Sequence, residues 1–168
     1  MAEIKSENVN PAAQSNGEVQ KRIMSNIEKS LKETGIYITK TCGDSMQPML
    51  VSGRDSVIII PPKFPLKKYD VAVYRRGKHY TMHRVVKVLK NGYVICGDNR
   101  AFLERDITDK DIIGVLAAFY RDGKFCDCGE SEYIKYCKSV CRQLPRRIIK
   151  AKAKAFITRV KRHLRRDL

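Results

Sequence analysis

The chain has 168 residues, 43% of them hydrophobic, and a formal net charge of +16. This length predicts one compact domain with tails, and the apolar fraction is sufficient for a hydrophobic core. There is no uninterrupted apolar run of about 18 residues, so a transmembrane helix is not expected. Met1 to Gln20 lacks the apolar segment of a secretory signal peptide, so we expect a cytoplasmic protein, with peripheral membrane contact left open.

Three segments follow one another along the chain. Residues 1–17 are polar and predict a disordered leader. Residues 18–126 carry the periodic apolar patterns of a folded domain. Residues 127–168 form a cysteine-containing, basic, helical C-terminal tail.

The folded segment opens with a predicted helix and continues with strands. Ile27 and Leu31 lie at helical spacing in a helix predicted from Val19 to Glu33, and Gly35 suits its end. The later apolar runs are short, rich in β-branched residues and separated by turn residues, which predicts a mainly antiparallel β domain coiled into a barrel-like shape. The predicted strands are Ile36 to Lys40, Ser56 to Ile60, Tyr69 to Arg75, residues 79–89, Tyr93 to Cys96, Ile112 to Tyr120 and Lys124-Phe125.

The C-terminal tail has a helical pattern from Glu132 onward. Pro145 is suited to the first turn of a helix, so a second, basic helix is predicted to begin there. The apolar residues of this second helix recur every three or four positions, and almost all the others are Lys or Arg. They are Ile149, Ala153, Phe156, Val160 and Leu164.

The chain contains six cysteines, and in a reducing compartment disulfides are not expected. Four of them, Cys126, Cys128, Cys137 and Cys141, lie within sixteen residues and could in principle supply four thiolates to a zinc ion. Their spacing departs from a pair of Cys-x-x-Cys knuckles. Small buried core cysteines are the favoured interpretation, and no cofactor is expected.

Three short motifs carry residues of the types found in serine peptidases. Ser45 lies in the string Gly-Asp-Ser-Met-Gln-Pro-Met-Leu, His83 in Met-His-Arg-Val-Val, and Asp98 in Cys-Gly-Asp-Asn. A serine hydroxyl needs a base to take its proton during attack, and the base needs a group that orients it. His79 has the same strand parity as His83, and Glu104 and Asp106 are carboxylates that compete with Asp98.

These motifs resemble those of the signal peptidase I family, over roughly residues 36–120. Residues 45–50 match its Ser-Met-x-Pro-(Met/Thr)-Leu box, His83 to Val86 match its (Lys/His)-Arg-Val-(Val/Ile) box, and Gly97 to Asn99 match its Gly-Asp-Asn box. Most bacterial members have lysine at the position of His83, whereas the endoplasmic-reticulum and archaeal branch has histidine. The resemblance implies the fold shared with the self-cleaving repressors of the SOS response. It also makes residues 18–126 the catalytic domain.

The resemblance implies a serine endopeptidase that cuts leader or signal segments after small residues. Ser45 would be the nucleophile, His83 the base and Asp98 its acidic partner. The Ser45 backbone amide would be an oxyanion donor. Gly43 stands where some members provide a hydroxyl, so a second donor is left open. Members bind their peptide as an added strand and normally carry a membrane anchor before the serine, whereas this chain has its soluble, helix-like segment there.

Two other functions remain open beside the peptidase. The same fold occurs in repressor-type regulators that cleave themselves, but these carry a DNA-binding domain of roughly 60 residues or more before the fold. Only 44 residues precede Ser45 here, which disfavours that reading. An inactive peptide-binding module is the other alternative, and it would not need Ser45, His83 and Asp98 together.

The basic tail predicts an anionic partner. Residues 138–168 hold twelve Lys and Arg and one Asp, a net charge of +11. The amphipathic pattern over residues 145–168 fits peripheral contact with an anionic membrane, and it fits equally a helix that packs its apolar stripe on the β domain. Nucleic acid is disfavoured because no interleaved aromatics or recognition helix accompany the charge.

Overall fold

The structure is a computed structural model that describes residues 27–77 and 79–164. These residues form a mainly β fold in which eight antiparallel strands make one curled, half-barrel sheet, accompanied by two helices. The mainly β class predicted from the sequence is thereby confirmed. The predicted leader over residues 1–17 and the beginning of the N-terminal helix lie outside the described residues.

The elements alternate short strands with tight turns and end in one long helix. The described part of the first helix, α1, covers residues 27–34. The strands are β1 (Tyr37–Lys40), β2 (Ser56–Ile60), β3 (Val71–Arg76), β4 (His79–Leu89), β5 (Gly92–Cys96), β6 (Glu104–Ile107), β7 (Ile112–Arg121) and β8 (Lys124–Asp127), and the final helix is α2 (Ser131–Leu164).

The strands lie in the order β1-β2-β7-β3-β4-β5-β6, and β8 pairs with β7. Bulges interrupt the register of β2, β3, β4 and β5. Because each bulge bends its strand and increases the local twist, these irregularities help the sheet to curl. No helix within the described ranges is both long and apolar enough to cross a membrane.

β3 is buried on both of its faces and separates two core clusters. Val71 and Val73 belong to a first cluster with α1, the turn after β1, β2 and β7, whereas Ala72 and Tyr74 belong to a second cluster with β5 and β6. Successive side chains of a strand point to opposite sides. The alternation along β3 therefore places one residue set on each side of the sheet.

The pairing of β3 with β4 fixes the directions of two successive residues. His83 is opposite Ala72, and Arg84 is opposite Val71. Cross-strand partners share a face of the sheet, so His83 lies on the side of the second cluster and Arg84 on the side of the first. Because their side chains lie on opposite faces of the sheet, His83 and Arg84 contact different carboxylates.

Two elements differ from the sequence predictions. β6 was not predicted, because the segment Glu-Arg-Asp-Ile is mostly polar and too short to show a period. The prediction of two C-terminal helices, with a new one at Pro145, is wrong, because α2 runs without interruption through Pro145. Contacts on both sides of the proline hold the helix together. Leu144 before it is buried, and Arg147 after it bonds the turn that follows β5.

The first half of α2 packs on the sheet, and its second half does not. Cys137 is fully buried, and Tyr133 and Tyr136 pack against the first core cluster. From residue 149 to residue 162, every side chain that the structure describes is exposed.

Candidate active site

Ser45 opens the turn formed by residues 45–49. The amide of Gln47 donates to the carbonyl of Asp44 at 3.2 Å, and the amide of Leu50 donates to the carbonyl of Met46 at 3.0 Å. The apolar side chains of this turn, Met46, Met49 and Leu50, are buried in the first core cluster. The apolar residues of the motif therefore fix the turn to the core, while Ser45 itself remains partly exposed.

His83 is held by two polar groups that reach the same ring nitrogen. Its Nδ1 lies 2.8 Å from Oε1 of Glu104 and 3.0 Å from the hydroxyl of Tyr74. The Tyr74 hydroxyl also lies 2.8 Å from Oε1 of Glu104 and donates to it. Since a carboxylate only accepts, the Nδ1–H of His83 donates to Glu104, which leaves Nε2 as the unprotonated nitrogen. Nε2 has no hydrogen-bond partner among the described residues.

Glu104 is a buried carboxylate with three neighbours. It is only 5% exposed, although it lies at the start of the edge strand β6. Besides Tyr74 and His83, it forms an ion pair with Arg76, which comes from the end of β3. A buried charge is stable only when it is paired and hydrogen-bonded, and here Arg76 supplies the opposite charge.

The surroundings of His83 favour the neutral imidazole. Burial first, and then the positive charges of Arg100 and Arg76, lower the pKa of His83 below its ordinary value of 6.5, whereas Asp98 acts in the opposite direction. The Glu104 carboxylate against Nδ1 also favours the charged ring and so opposes the lowering. The pKa of His83 remains below its ordinary value, so at neutral pH the ring is available as a base.

Gly97 brings the Ser45 turn and the His83 ring together. A Cβ atom built on Gly97 would lie 2.7 Å from the carbonyl oxygen of Ser45 and 3.1 Å from Cδ2 of His83. The Cδ2 edge of the imidazole, which lies across the ring from Nδ1, is therefore against Gly97, and the carbonyl of Ser45 is against the same glycine. Only a residue without a side chain permits this approach.

The turn of residues 97–100 also clamps the Ser45 turn through hydrogen bonds. The amide of Asn99 donates to the carbonyl of Ser45 at 2.8 Å, and its side-chain amide donates to the carbonyl of Asp44 at 3.2 Å. Arg100 forms an ion pair with Asp44, which holds the pKa of that carboxyl below its usual range. The Gly-Asp-Asn motif thus positions the serine from the side of β5.

Asp98, expected from the resemblance to orient the histidine, is bonded to Arg84 instead. Nε and Nη2 of Arg84 reach its two carboxylate oxygens at 2.8 and 2.6 Å, and Tyr136 donates to it at 3.1 Å. Arg84 is fully buried, and Asp98 is 5% exposed. The structure therefore places Glu104, which the sequence left as a competing carboxylate, against His83, and it places Asp98 against Arg84.

The remaining residues singled out from the sequence occupy less enclosed positions. Asp106 and His79 are exposed. Gly43 has a φ of 86°, a conformation that suits glycine, and is exposed beside the turn. The backbone amide of Ser45 donates no hydrogen bond to any described residue.

A cavity of about 500 Å³ opens beside Ser45. Strand β1 and the loop after it form one wall, and the beginning of β4 forms another. Its floor belongs to the first core cluster. The lining includes Tyr37, Thr39, Ser45, Leu50, Val57 and Met82.

All four cysteines of the C-terminal cluster are free thiols. Burial raises the pKa values of Cys137 and Cys141, and raises that of Cys128 to about 12. Within the described ranges, no group of three or more His, Cys, Asp or Glu side chains is arranged to hold a metal ion.

The sequence missed the polar groups that support the site. Tyr74 lies in the predicted strand Tyr69 to Arg75, directly beside the strand of His83, so pairing these two predicted strands could have indicated it. Arg76 lies one residue beyond the predicted strand, on the same face as Tyr74. Tyr136 could not be found in this way, because its position depends on the packing of α2.

Comparison of the chain with models of protein families and with curated proteins found no match.

Proposed function

We propose that this chain is a serine endopeptidase of the signal-peptidase type, in which Ser45 is the nucleophile, His83 is the base and Glu104 orients the base. The observation that carries the proposal is the arrangement around His83. Glu104 and Tyr74 engage Nδ1, which leaves Nε2 as the free nitrogen, and the Cδ2 edge of the ring and the carbonyl of Ser45 both lie against Gly97. This is the polarity that a serine–histidine pair requires.

The reaction follows the ordinary course of acyl transfer. Nε2 of His83 takes the proton from the Ser45 hydroxyl as its oxygen attacks the peptide carbonyl. The imidazolium then gives this proton to the leaving amine, and an acyl-enzyme remains on Ser45. A water molecule, deprotonated by the same nitrogen, releases the acid and restores the serine. Glu104, which forms an ion pair with Arg76, stabilises the positive charge that His83 carries in both steps.

The substrate proposed is an extended peptide that lies along the cavity beside Ser45. β1 is an edge strand of the sheet, and among the described residues no strand pairs with its outer side, where an added strand could pair. The resemblance adds a preference for small residues before the cut. The Ser45 amide is the proposed oxyanion donor, since it has no partner among the described residues.

The test is digestion of a diverse peptide library, with cleavage sites identified by mass spectrometry. Wild type should produce a consistent set of cleavages, and Ser45→Ala and His83→Ala should produce none. Ser52→Ala and His79→Ala are matched controls, because both residues are exposed and lie outside the cluster around His83. Equal cleavage by wild type and Ser45→Ala would refute the proposal.

A further inference from the structure

The second half of α2 is a surface that the peptidase reaction does not use. Between residues 146 and 162 it contains eight Lys and Arg and no Asp or Glu. Ile149, Phe156 and Ile157 are 66%, 69% and 53% exposed, so these large apolar side chains have no covering element in the described structure. Exposed apolar side chains on a helix with this positive charge indicate a partner that offers both an apolar environment and negative charge.

The apolar residues lie on one face of the helix. Ile149, Ala153, Phe156 and Ile157 follow the spacing i, i+4, i+7, i+8, which keeps them within about a third of the circumference at about 100° per residue. Lys150 and Lys152 lie on the two flanks of this stripe. Basic side chains at the flanks can extend to charged groups beside the surface into which the apolar face inserts.

We propose that this half of α2 docks on the surface of an anionic lipid bilayer. The stripe would enter the boundary between headgroups and acyl chains, and the flanking lysines would bind the headgroup phosphates and carboxylates. A nucleic acid would satisfy the charge and leave Phe156 and Ile157 in water. A second copy of the chain would cover the apolar face but bring like charges together.

The contacts of α2 with the β fold determine which part of the protein docking would bring close to the bilayer. Arg147 bonds the carbonyls of Gly97 and Asp98, and Tyr133 bonds Arg84 at 3.0 Å. The helix is therefore fixed to the turn that clamps Ser45. From Arg147 to the end of α2 at Leu164, the helix extends about 25 Å at about 1.5 Å per residue. Docking would hold the β fold with Ser45 and His83 beside the bilayer. That this places a peptidase there rests on the proposed function, whereas lipid binding by α2 does not.

The test is sedimentation of the full-length protein with phosphatidylcholine vesicles, with and without phosphatidylserine, at low and high salt. Binding should require phosphatidylserine and weaken as salt rises. Lys150→Gln with Lys152→Gln should weaken partitioning about thirtyfold, at roughly fivefold for each basic residue near the surface. Lys124→Gln with Lys135→Gln, which removes the same charge from β8 and from the beginning of α2, should change it little.

Apolar variants separate lipid from the other partners. Phe156→Ser should weaken partitioning about tenfold or more, and Phe125→Ser, on β8 and 56% exposed, should not. Melting curves would check that each variant is folded, which is expected because Phe156 and Phe125 are exposed. Three outcomes would overturn the proposal: no sedimentation with phosphatidylserine at low salt, full binding by Phe156→Ser, or self-association without lipid that Phe156→Ser abolishes.

Discussion

Exchanging each of the two buried carboxylates that contact Arg84 and His83, Asp98 and Glu104, for its amide should separate catalysis from stability. Asp98→Asn removes the charge that pairs with Arg84, which is fully buried. Breaking a buried ion pair from one side costs about 3–5 kcal/mol, because the remaining charge is uncompensated. Arg84 keeps the carbonyl of Tyr69 and the hydroxyl of Tyr133 as partners, at 3.0 Å each. The expected loss is therefore about 3 kcal/mol, or roughly 6–12 °C in melting temperature for a chain of this size.

Glu104→Gln should have its main effect on the reaction. The glutamine amide can donate to Nδ1 and so favour the tautomer in which Nε2 carries the proton, which is the wrong form for a base. The corresponding change in a serine-protease triad lowers kcat by about 10⁴, so a loss of about a hundredfold or more is expected here. Asp106→Asn, on the same strand and exposed, is the matched control.

The assay combines urea unfolding with the rate of peptide cleavage, measured well below each variant's midpoint. Glu104→Gln should lose activity while it remains folded, and Asp98→Asn should lose stability but retain most of its activity per folded molecule. The opposite result, an inactive Asp98→Asn of normal stability beside an active Glu104→Gln, would show that Asp98 orients the histidine and that the reasoning from the geometry is wrong.

Three further changes test other contacts of the site. Cleavage activity should fall as His83 is protonated, with the midpoint of the pH profile below pH 6.5. Arg76→Gln should move that midpoint to higher pH, because the Arg76 charge lowers the pKa of His83. An unchanged or lower midpoint in Arg76→Gln would contradict this. Gly97→Ala should abolish cleavage, since its Cβ would meet the Ser45 carbonyl at 2.7 Å, whereas Gly129→Ala meets only a side chain and should be active. Tyr74→Phe should slow cleavage about tenfold at most, because Glu104 still holds Nδ1, and a complete loss would assign Tyr74 a larger role.

The strands were predictable where the sequence is locally decisive. β2 and β7 are β-branched or apolar runs, and Asn91-Gly92 marks the hairpin between β4 and β5. β6 was not predictable in this way, because a four-residue polar segment becomes a strand only through its pairing with β5. The continuous α2 was missed for a similar reason, since the contacts on both sides of Pro145 are tertiary.

The candidate site likewise contains residues that the motifs indicated and residues whose role depends on the tertiary structure. The motifs indicated Ser45 and His83, and the structure places both against Gly97. The choice between Asp98 and Glu104 could not be made from the motifs, because it depends on which face of β4 each carboxylate meets. His83 and Arg84 are neighbours in sequence but point to opposite faces, and strand pairing gives Glu104 to the first and Asp98 to the second.

The most direct test of the central claim is the mapping of a fluorophosphonate adduct by mass spectrometry. This reagent reacts with an activated serine and needs no knowledge of the substrate. We expect one adduct on Ser45, absent in His83→Ala and formed normally in His79→Ala. An unlabelled protein, or an adduct on another serine, would contradict the assignment of Ser45 and His83 as nucleophile and base.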